Sequence, residues 1–415
     1  MWLLQELHPC YKTIADFRKE NTQALKAVYK DFLLVCRELQ LFGGEVVGID
    51  SVFLEGDASK ASIYTKKRVE RTLVRLEQQI EAYLGELDQQ DAQSSESLLH
   101  ARGLTKKVAA LQARRQGYQE LLDTLIESGD TQVSCTDPDA RRLQKHTDKG
   151  PTAGYNAQCA VDSKHKLIVA GDVVNAGNDT HQLAPMAIQA KVNLGVERLK
   201  AIADASYYNQ QGLKACEEAG VTPYVAIPDK ERAARQQGRF ARSDFHYDAH
   251  TDTYGCPGKH PLTYRSTFQK AGKQMRKYAS QATVCAECPL REQCLPDKTP
   301  YRQLTRWEHE DVVDRHRQRM DKEGPVYMRR RTGLAEHPFG TLKVWCGWTH
   351  FLMRGLSKVR GEWHLLLTCY NFTRVLNLIG LDRFRAYCQQ RATAVRRLVA
   401  VGKLSLIHIS EPTRQ

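Results

Sequence analysis

Apolar side chains recur every three or four positions over residues 12–41, which is the spacing of a helix with one buried face. Gly43 and Gly44 interrupt this pattern, and residues 45–54 then form a run rich in β-branched side chains. The pattern predicts an N-terminal helical region followed by a buried strand that contains Asp50.

Residues 65–128 repeat leucine and other apolar residues on both sides of a polar stretch at residues 91–97. This spacing predicts a helical hairpin with charged outer faces, similar to a coiled coil. Because the segment contains no group of residues suited to catalysis, we expect an inserted scaffold or a dimerisation arm.

From Gly154 the pattern changes to short apolar runs separated by turns and by two helical stretches. This order predicts a mixed α/β sheet in which strand ends deliver acidic side chains, Asp204 among them. The predicted strands are residues 155–162, 167–174, 199–204 and 222–227, and the predicted helices are residues 182–193 and 209–219.

The C-terminal part is more basic. Residues 228–305 predict a loop-rich segment, and residues 306–333 predict helix with a high arginine content. Residues 334–346 predict a helix with Glu336 at its start. Lys343 follows seven residues later, close to two helical turns, so we expect both side chains on one helix face.

The 415-residue chain has a net charge of +13 and a hydrophobic content of 41%. Such a chain can hold roughly two to three domains, and its distributed positive charge favours a polyanionic partner. No apolar run approaches the roughly 20 residues that span a bilayer, and the N-terminus lacks a signal-peptide pattern. We therefore expect a cytoplasmic protein with no membrane partner, whose twelve cysteines form no disulfide framework.

Three carboxylates in these patterns suggest chemistry. Asp50 and Asp204 each end an apolar run, and Glu336 begins a predicted helix. Carboxylates from separate elements can hold two Mg²⁺ ions roughly 3.5–4 Å apart, which clamp the attacking and leaving oxygens of a phosphodiester. An aspartate at a strand end is more often a turn or cap residue, so no single one of these carboxylates is strong evidence for a metal site.

The segments that carry these carboxylates resemble the catalytic segments of DDE transposases of bacterial insertion sequences. The resemblance extends over about residues 12–385. Its segments are Val-Gly-Ile-Asp at 47–50, Ala-Ile-Ala-Asp-Ala-Ser-Tyr-Tyr-Asn at 201–209, Ala-Glu-His-Pro-Phe-Gly-Thr-Leu-Lys at 335–343, Thr-Asp-Pro-Asp-Ala-Arg at 136–141 and Gly-Tyr-Asn-Ala-Gln at 154–158.

The resemblance implies an α/β fold of the RNase H-like, retroviral integrase superfamily, with a mixed sheet flanked by helices. It implies that Asp50, Asp204 and Glu336 are catalytic and bind Mg²⁺ or Mn²⁺. The implied activity is cutting at transposon ends and strand transfer into target DNA. The implied partners are double-stranded DNA, as terminal inverted repeats and target, and a second copy or higher assembly at the bacterial nucleoid.

The same resemblance assigns DNA contacts. Lys343 matches the family's lysine beyond the glutamate, and Arg330 or Arg331 serves as the arginine that precedes it. The remaining candidates are His337 and Tyr207. Arginine suits phosphate contact and aromatic rings suit stacking on unpaired bases, and the basic stretch at residues 306–331 contains both.

The chain departs from the family pattern at three places. Ser51 and Val52 follow Asp50 where the family usually has glycine and then serine or threonine, and Ser206 stands where glycine is frequent. Three other aspartates are therefore alternatives for the first triad position, and Asp162 among them lies in a predicted hairpin turn. They are Asp57, Asp137 and Asp162.

Four cysteines lie within 39 residues, at Cys256, Cys285, Cys288 and Cys294. A Cys-x-x-Cys pair with two further thiols could form a tetrahedral Zn²⁺ site and stabilise a segment that has little core. His260 is a possible substitute ligand. The alternative is a set of reduced, partly buried thiols.

Two further hypotheses remain open beside transposase activity: a catalytically inactive, zinc-stabilised DNA-binding remnant of a transposase, and a metal-dependent nuclease without strand transfer. Residues 404–415 resemble translated adapter sequence, and we expect a non-native tail there and a truncated N-terminus.

The predicted domains are residues 1–42, an N-terminal helical region; 43–64 with 129–228, the first part of the catalytic core; 65–128, the helical hairpin; 229–305, the cysteine-rich basic insertion; 306–400, the helical part that carries the glutamate; and 404–415, the tail.

Overall fold

The fold is described from a computed structural model that covers residues 9–88, 95–129, 131–143, 152–345, 347 and 349–393. The predicted tail at residues 404–415 lies outside these ranges. The chain forms two compact units, and the first contains residues 1–43, 51–177 and 337–415. The second contains residues 44–50 and 178–336.

Helices and strands alternate along much of the chain. The helices are α1 (Tyr11–Glu20), α2 (Thr22–Glu38), α3 (Lys66–Asp88), α4 (Ser95–Ser128), α5 (Leu183–Leu194), α6 (Gln210–Glu218), α7 (Arg232–Gln236), α8 (Ala282–Ala286), α9 (Arg291–Cys294), α10 (Glu310–Lys322), α11 (Gly324–Ala335), α12 (His337–Gly340) and α13 (Leu356–Ile379). The strands are β1 (Val46–Glu55), β2 (Ile63–Thr65), β3 (Gln132–Ser134), β4 (Arg141–Leu143), β5 (Thr152–Asp162), β6 (Ile168–Val174), β7 (Leu199–Ala203), β8 (Val221–Val225), β9 (His246–Asp248), β10 (Thr253–Gly255), β11 (Pro261–Lys270), β12 (Lys273–Ala279) and β13 (Gln303–Trp307).

In the first unit, strand β5 pairs antiparallel with both β4 and β6, and every residue of β5 is buried. Helix α13 packs on β6 and is held by a buried amide. Asn371 accepts a hydrogen bond from the Ile168 N–H and donates one to its carbonyl, each at 2.8 Å. A buried amide with both its donor and its acceptor used fixes the helix in one register on the strand.

Helices α3 and α4 pack against each other in the first unit, within the segment that the leucine spacing predicts to be a helical hairpin. Their shared core contains Val69, Leu73 and Leu125. Arg115 and Glu77 form an exposed ion pair at 2.8 Å between the two helices. Such a pair contributes about 0–1 kcal/mol, so the apolar seam stabilises the helix pair more than the charges do.

In the second unit, strand β7 lies between β1 and β8 and is parallel to both. Val46 of β1, Ile202 of β7 and Tyr224 of β8 form a buried cluster, against which side chains of α10 and α11 pack. Residues of all three strands are almost fully buried, as expected for parallel strands covered by helices.

The second unit also contains a five-stranded antiparallel sheet, in the order β13-β12-β11-β10-β9. The prediction of a loop-rich segment at residues 228–305 was therefore wrong. Nine of the ten β11 residues are exposed, so this strand has no continuous apolar run, although Leu262, Tyr264 and Phe268 alternate with polar residues.

The predicted helix at residues 334–346 is not one continuous helix. Glu336 follows the last residue of α11 and caps its C-terminus. A new short helix, α12, begins at His337, and Lys343 lies in a π-helical turn at Thr341–Trp345. Glu336 and Lys343 thus do not share the face of one α-helix, and they belong to different units.

The described architecture is mixed α/β, with parallel and antiparallel strand pairs and many helices. This agrees with the predicted fold class at that level. Among the helices the structure describes, none is both long and apolar enough to cross a bilayer. The RNase H-like topology and the boundaries of the predicted domains remain predictions.

The buried imidazole of His316 makes the second unit sensitive to acid. His316 lies on α10, is fully buried, and has Nε2 3.0 Å from the carbonyl oxygen of Val225. Burial lowers its pKa from 6.5 to about 4, while Arg319 also lowers it and Glu217 opposes this. Because the folded state binds fewer protons than the unfolded state, stability is complete above pH about 6.5 and is lost as pH falls toward 4.

We expect the wild type to lose roughly 2 kcal/mol of stability between pH 7 and pH 5 through this group. His316→Gln removes the titration and should flatten the decline in melting temperature over this interval, as measured by scanning calorimetry. The exposed His250→Gln variant is the matched control and should retain the wild-type decline. Equal slopes for wild type and His316→Gln would contradict the assignment.

Candidate active site

Asp50 and Asp204 extend from neighbouring parallel strands of the second unit. Val46, Val47 and Gly48 of β1 pair with Lys200, Ala201 and Ile202 of β7. Asp50 and Asp204 each lie two residues beyond the last of these pairs, so they occupy equivalent positions on strands spaced about 4.8 Å apart. Residues two apart on a strand share a face, so both carboxylates follow the face that carries Gly48 and Ile202.

Gly48 brings the end of α11 close to this face. A Cβ atom at Gly48 would lie 3.0 Å from Leu334 Cγ and 3.3 Å from Ala335 Cβ. Both of these side chains are buried in the last turn of α11. A residue without a side chain at position 48 therefore allows the helix end to contact the strand directly, and Glu336 follows immediately after that contact.

Arg331 joins the two outer carboxylates of the site. Its NH1 lies 3.7 Å from Asp50 Oδ2, and its NH2 lies 3.4 Å from Glu336 Oε1. The Asp50 side chain is 17% exposed and the Glu336 side chain is 53% exposed. The two carboxylates and the guanidinium therefore form one cluster of charges, with Glu336 at its solvent side.

Asp204 has a separate set of partners. Its Oδ1 accepts hydrogen bonds from the Ser206 N–H at 2.9 Å and the Ser206 hydroxyl at 2.6 Å, which caps a short 3₁₀ turn at Ala205–Tyr207. The same hydroxyl lies 3.2 Å from Oδ2 of Asp179, a buried carboxylate. A hydroxyl has one proton, so it can satisfy one of these two carboxylates at a time.

Asp179 and Ser206 were not among the residues predicted for the site. Ser206 appeared only as a departure from the family pattern. Asp179 lies in a polar loop between β6 and α5 and matched no motif. A hydrogen-bond network of this kind depends on tertiary contacts, and its sole sequence signal is an acidic residue in the loop before a helix.

Within the described ranges, no group of three or more His, Cys, Asp or Glu side chains is placed so that it could hold a metal ion. Asp50, Asp204 and Glu336 supply the hard oxygen ligands that Mg²⁺ prefers. Their arrangement does not fit a metal site, because Arg331 stands between Asp50 and Glu336 and Ser206 bonds Asp204.

The three alternative aspartates have structural partners within the first unit. Asp137 accepts hydrogen bonds from the Tyr155 hydroxyl at 2.6 Å and the Gly355 N–H at 3.1 Å. Asp162 accepts two backbone N–H groups at a turn, and exposed Asp57 pairs with Arg354 at 2.9 Å. These contacts explain all three without a catalytic role.

The predicted DNA contacts differ in exposure. Arg330 and Lys343 are exposed, and His337 is half-buried with Nδ1 3.1 Å from the Tyr370 hydroxyl. Burial lowers the pKa of His337. The Tyr207 side chain is fully buried, so it has no surface to offer DNA, and we correct that prediction.

The four clustered cysteines line one pocket of the second unit, together with His260 and Arg302. All four are free thiols, and a Cβ at Gly258 would lie 3.3 Å from Cys288 Sγ and 3.7 Å from Cys256 Sγ. The His260 N–H donates to Cys256 Sγ at 3.3 Å. The four thiols that the sequence analysis predicted to be neighbours therefore lie around one pocket. Within the described ranges, they are not placed so that they could hold a metal ion.

Residues 255–376 match the profile of a family described as Transposase DDE domain. This match supports a DDE transposase domain. The matched range contains Arg331, Glu336 and the four thiols, whereas Asp50 and Asp204 lie outside it. It covers less than a third of the chain.

A solved structure described as the cryo-EM structure of the piggyBac transposase synaptic complex with hairpin DNA is similar over 58% of this chain and 44% of that chain. The sequence identity is 11% and the TM-score is 0.26, so this likeness carries no argument about fold or function. The aligned part spans less than half of that chain. No curated protein matches the chain significantly.

The contact between Gly48 and the α11 end yields a stability prediction for the second unit. Gly48→Ala places a Cβ against Leu334 and should destabilise the second unit by about 1–3 kcal/mol, because the packed helix end must shift. Adding Leu334→Ala should reduce that penalty, so the two changes should be coupled in a double-mutant cycle of denaturant unfolding.

Gly333→Ala is the matched control, because no atom lies within 4 Å of its added Cβ. Alanine should be neutral there or stabilise α11 by up to about 1 kcal/mol. Additive effects of Gly48→Ala and Leu334→Ala would show that this contact does not set the position of the helix end.

Proposed function

We propose that this protein is a DNA transposase of the bacterial insertion-sequence type, which nicks DNA at transposon ends and joins the freed 3′ end to target DNA. The observation that carries the proposal is the grouping of Asp50, Asp204 and Glu336 at one end of the β1–β7 pair. The family match over the glutamate segment supports it. An RNase H-like core and an assembly of at least two copies are parts of the same proposal, because two ends must be joined.

Asp50 and Asp204 are the fixed members of the proposed site. They project from a parallel strand pair whose side chains are buried, so their backbone positions are set by the sheet. Glu336 is the adjustable member, because it ends a helix and its side chain is half exposed. Arg331 forms ion pairs with both Asp50 and Glu336.

The cofactor in this proposal is Mg²⁺ or Mn²⁺, which Asp50, Asp204 and Glu336 would hold once Glu336 has left Arg331, and which would supply Lewis-acid polarisation of the phosphodiester. The ion pair of Arg331 with half-exposed Glu336 is worth about 0–1 kcal/mol, so it opposes rearrangement of Glu336 only weakly. In the proposed mechanism, exchange of Arg331 for a metal ion at Glu336 therefore costs little free energy.

The proposed partner is double-stranded DNA, both as terminal inverted repeats and as target, at the bacterial nucleoid. A net charge of +13 supports this, because a basic chain releases counterions from DNA when it binds. Arg330 and Lys343 are exposed and available for phosphate contact. Arg331 is committed to carboxylates and is assigned to the site itself.

The test is nicking of labelled duplexes made from the DNA that flanks the gene, with and without Mg²⁺. Glu336→Gln and Asp204→Asn should each lower the nicking rate by more than about 100-fold, the upper loss seen even for an outer-shell partner of a metal. Glu218→Gln is the matched control, because this glutamate is exposed and pairs only with Lys214 among its ionic contacts in the described chain. Its nicking rate should remain at the wild-type value.

Equal nicking by wild type and Glu336→Gln would rule out the proposed site. A second function is favoured by one observation, since Arg331 occupies the position between Asp50 and Glu336. A catalytically inactive, DNA-binding remnant would bind DNA without Mg²⁺ and would retain that binding after loss of all three carboxylates. Binding without nicking by the wild type would support it.

The proposed structural cofactor is Zn²⁺ in the pocket of Cys256, Cys285, Cys288 and Cys294. Four free thiols around one pocket are the donor set of a tetrahedral zinc site. Metal binding requires the side chains to turn toward a common centre from their present positions. Arg302 lines the same pocket and would offset the negative charge of four thiolates.

Metal analysis of the purified chain by mass spectrometry should find stoichiometric zinc in the wild type. Cys288→Ser should lose most of this zinc and lower the melting temperature, because metal affinity contributes to folding. Cys369→Ser, at an exposed thiol of α13, is the control and should keep its zinc. If the wild type contains no zinc even after expression with added zinc, the proposal is wrong and the four cysteines are reduced thiols without a metal.

A further inference from the structure

Strands β11 and β12 form a hairpin in which β11 is exposed along nearly its whole length, whereas most β12 residues are half-buried or buried. Nine of the ten β11 residues are exposed, and the one that is buried, Leu262, lies near the start of the strand. The pairing continues to Lys270 opposite Lys273, with Ala271 and Gly272 as a two-residue turn at φ of 50° and 71°. Two residues with positive φ match the twist of a tight hairpin, so the ribbon is ordered to its tip.

This exposed ribbon carries charge of one sign. No aspartate or glutamate occurs between Asp252 and Glu287, whereas six lysines and arginines do. Among the residues the structure describes, Arg265, Lys270 and Lys277 form no ion pair with a carboxylate. Arg276 pairs with Asp252, so part of the positive charge of the hairpin is neutralised and the remainder is not.

The strand pairing sorts these side chains onto two faces. Phe268 pairs with Met275, Ser266 with Lys277, and Lys270 with Lys273, which places these residues on one face. A bulge between Tyr264 and Ser266 leaves Arg265 unpaired at the edge of the ladder. The face therefore presents an exposed aromatic ring, 36% accessible, among lysines.

We propose that this β-ribbon is a binding surface for the phosphate backbone of double-stranded DNA. The inference rests on the proposed DNA partner and adds the surface that contacts it. Charge complementarity selects the occupant, because a ribbon without any acidic residue fits a polyanion and repels a basic second copy of the chain. On the tip side of Met275, where the pairing of β12 with β13 ends, the ribbon has two strands, and this is the width that the major groove of B-DNA admits.

Lys270, Lys277 and Arg265 contact phosphates, and Phe268 packs on the sugar edge beside them. Lys273 has another role. Its ammonium donates to Gln210 Oε1 at 2.8 Å and lies over the Trp307 ring, so it anchors the ribbon to the rest of the second unit. Contacts to phosphate position a protein on the duplex and carry no sequence information, so this surface binds DNA of any sequence.

The test measures binding of the full-length chain to a fluorescent duplex of mixed sequence by anisotropy, over a series of salt concentrations. The double variant Lys270→Gln/Lys277→Gln should weaken binding at every salt concentration. The plot of log affinity against log salt concentration has a negative slope, and the variant should reduce its magnitude by roughly 2, because each lost phosphate contact reduces the magnitude by about 0.9. Lys230→Gln/Lys298→Gln is the matched control, since both lysines are exposed in the same unit outside the ribbon, and its slope should be unchanged.

A slope for the ribbon variant equal to that of the wild type or to that of the control would overturn the proposal. So would an unchanged slope with a loss of self-association in sedimentation, which would make the ribbon a contact between copies. Phe268→Ala, at an exposed position, gives a second variant that keeps the charge and should weaken binding without changing the slope.

This result is separable from the test of the catalytic site. If the wild type nicks DNA and the ribbon variant keeps the wild-type salt slope, only the ribbon proposal is contradicted. If the wild type does not nick DNA and the ribbon variant has a reduced salt slope, only the catalytic proposal is contradicted.

Discussion

The candidate site depends on the close contact between strand β1 and the end of helix α11. Parallel pairing of β1 with β7 places Asp50 and Asp204 at equivalent positions, and this requires nothing beyond a regular ladder. Glu336 reaches the same place only because Gly48 has no side chain and Leu334 and Ala335 pack onto the strand at that point. The absence of one methyl group thus determines whether a third carboxylate can join two that the sheet already positions.

Carboxylates that lie close together repel one another, and the structure offsets this repulsion in two different ways. Asp50 and Glu336 share the guanidinium of Arg331, while Asp204 and buried Asp179 share the hydroxyl of Ser206. A delocalised guanidinium with donors on two sides suits a bridge between carboxylates that approach from different elements. A serine hydroxyl has one proton, so it donates to either Asp204 or Asp179 at one time.

The parts of the fold that follow simple hydrophobic patterns could be predicted from sequence, and the reason lies in burial. Strands β5, β7 and β8 are largely buried, and the short apolar runs within them mark them in the sequence. The β9–β13 sheet lacked that signal because β11 contacts solvent along nearly its whole length. The predicted helix at residues 334–346 is interrupted for a different reason. Pro338 has no backbone N–H and favours the first turn of a helix, so a new helix begins after Glu336 rather than at it.

The residues of the site divide in the same way. The positions of Asp50 and Asp204 follow from local strand pattern, whereas the roles of Arg331, Ser206 and Asp179 follow from contacts between elements distant in sequence. Glu336 combines both features, because it is the last residue of the second unit and the chain continues into the first unit at His337. Its position is therefore determined by the docking of α11 on β1 and not by the sheet itself. A site with two carboxylates on a rigid strand pair and a third on a helix end has one adjustable ligand, and the half-exposed side chain of Glu336 is the one free to adjust.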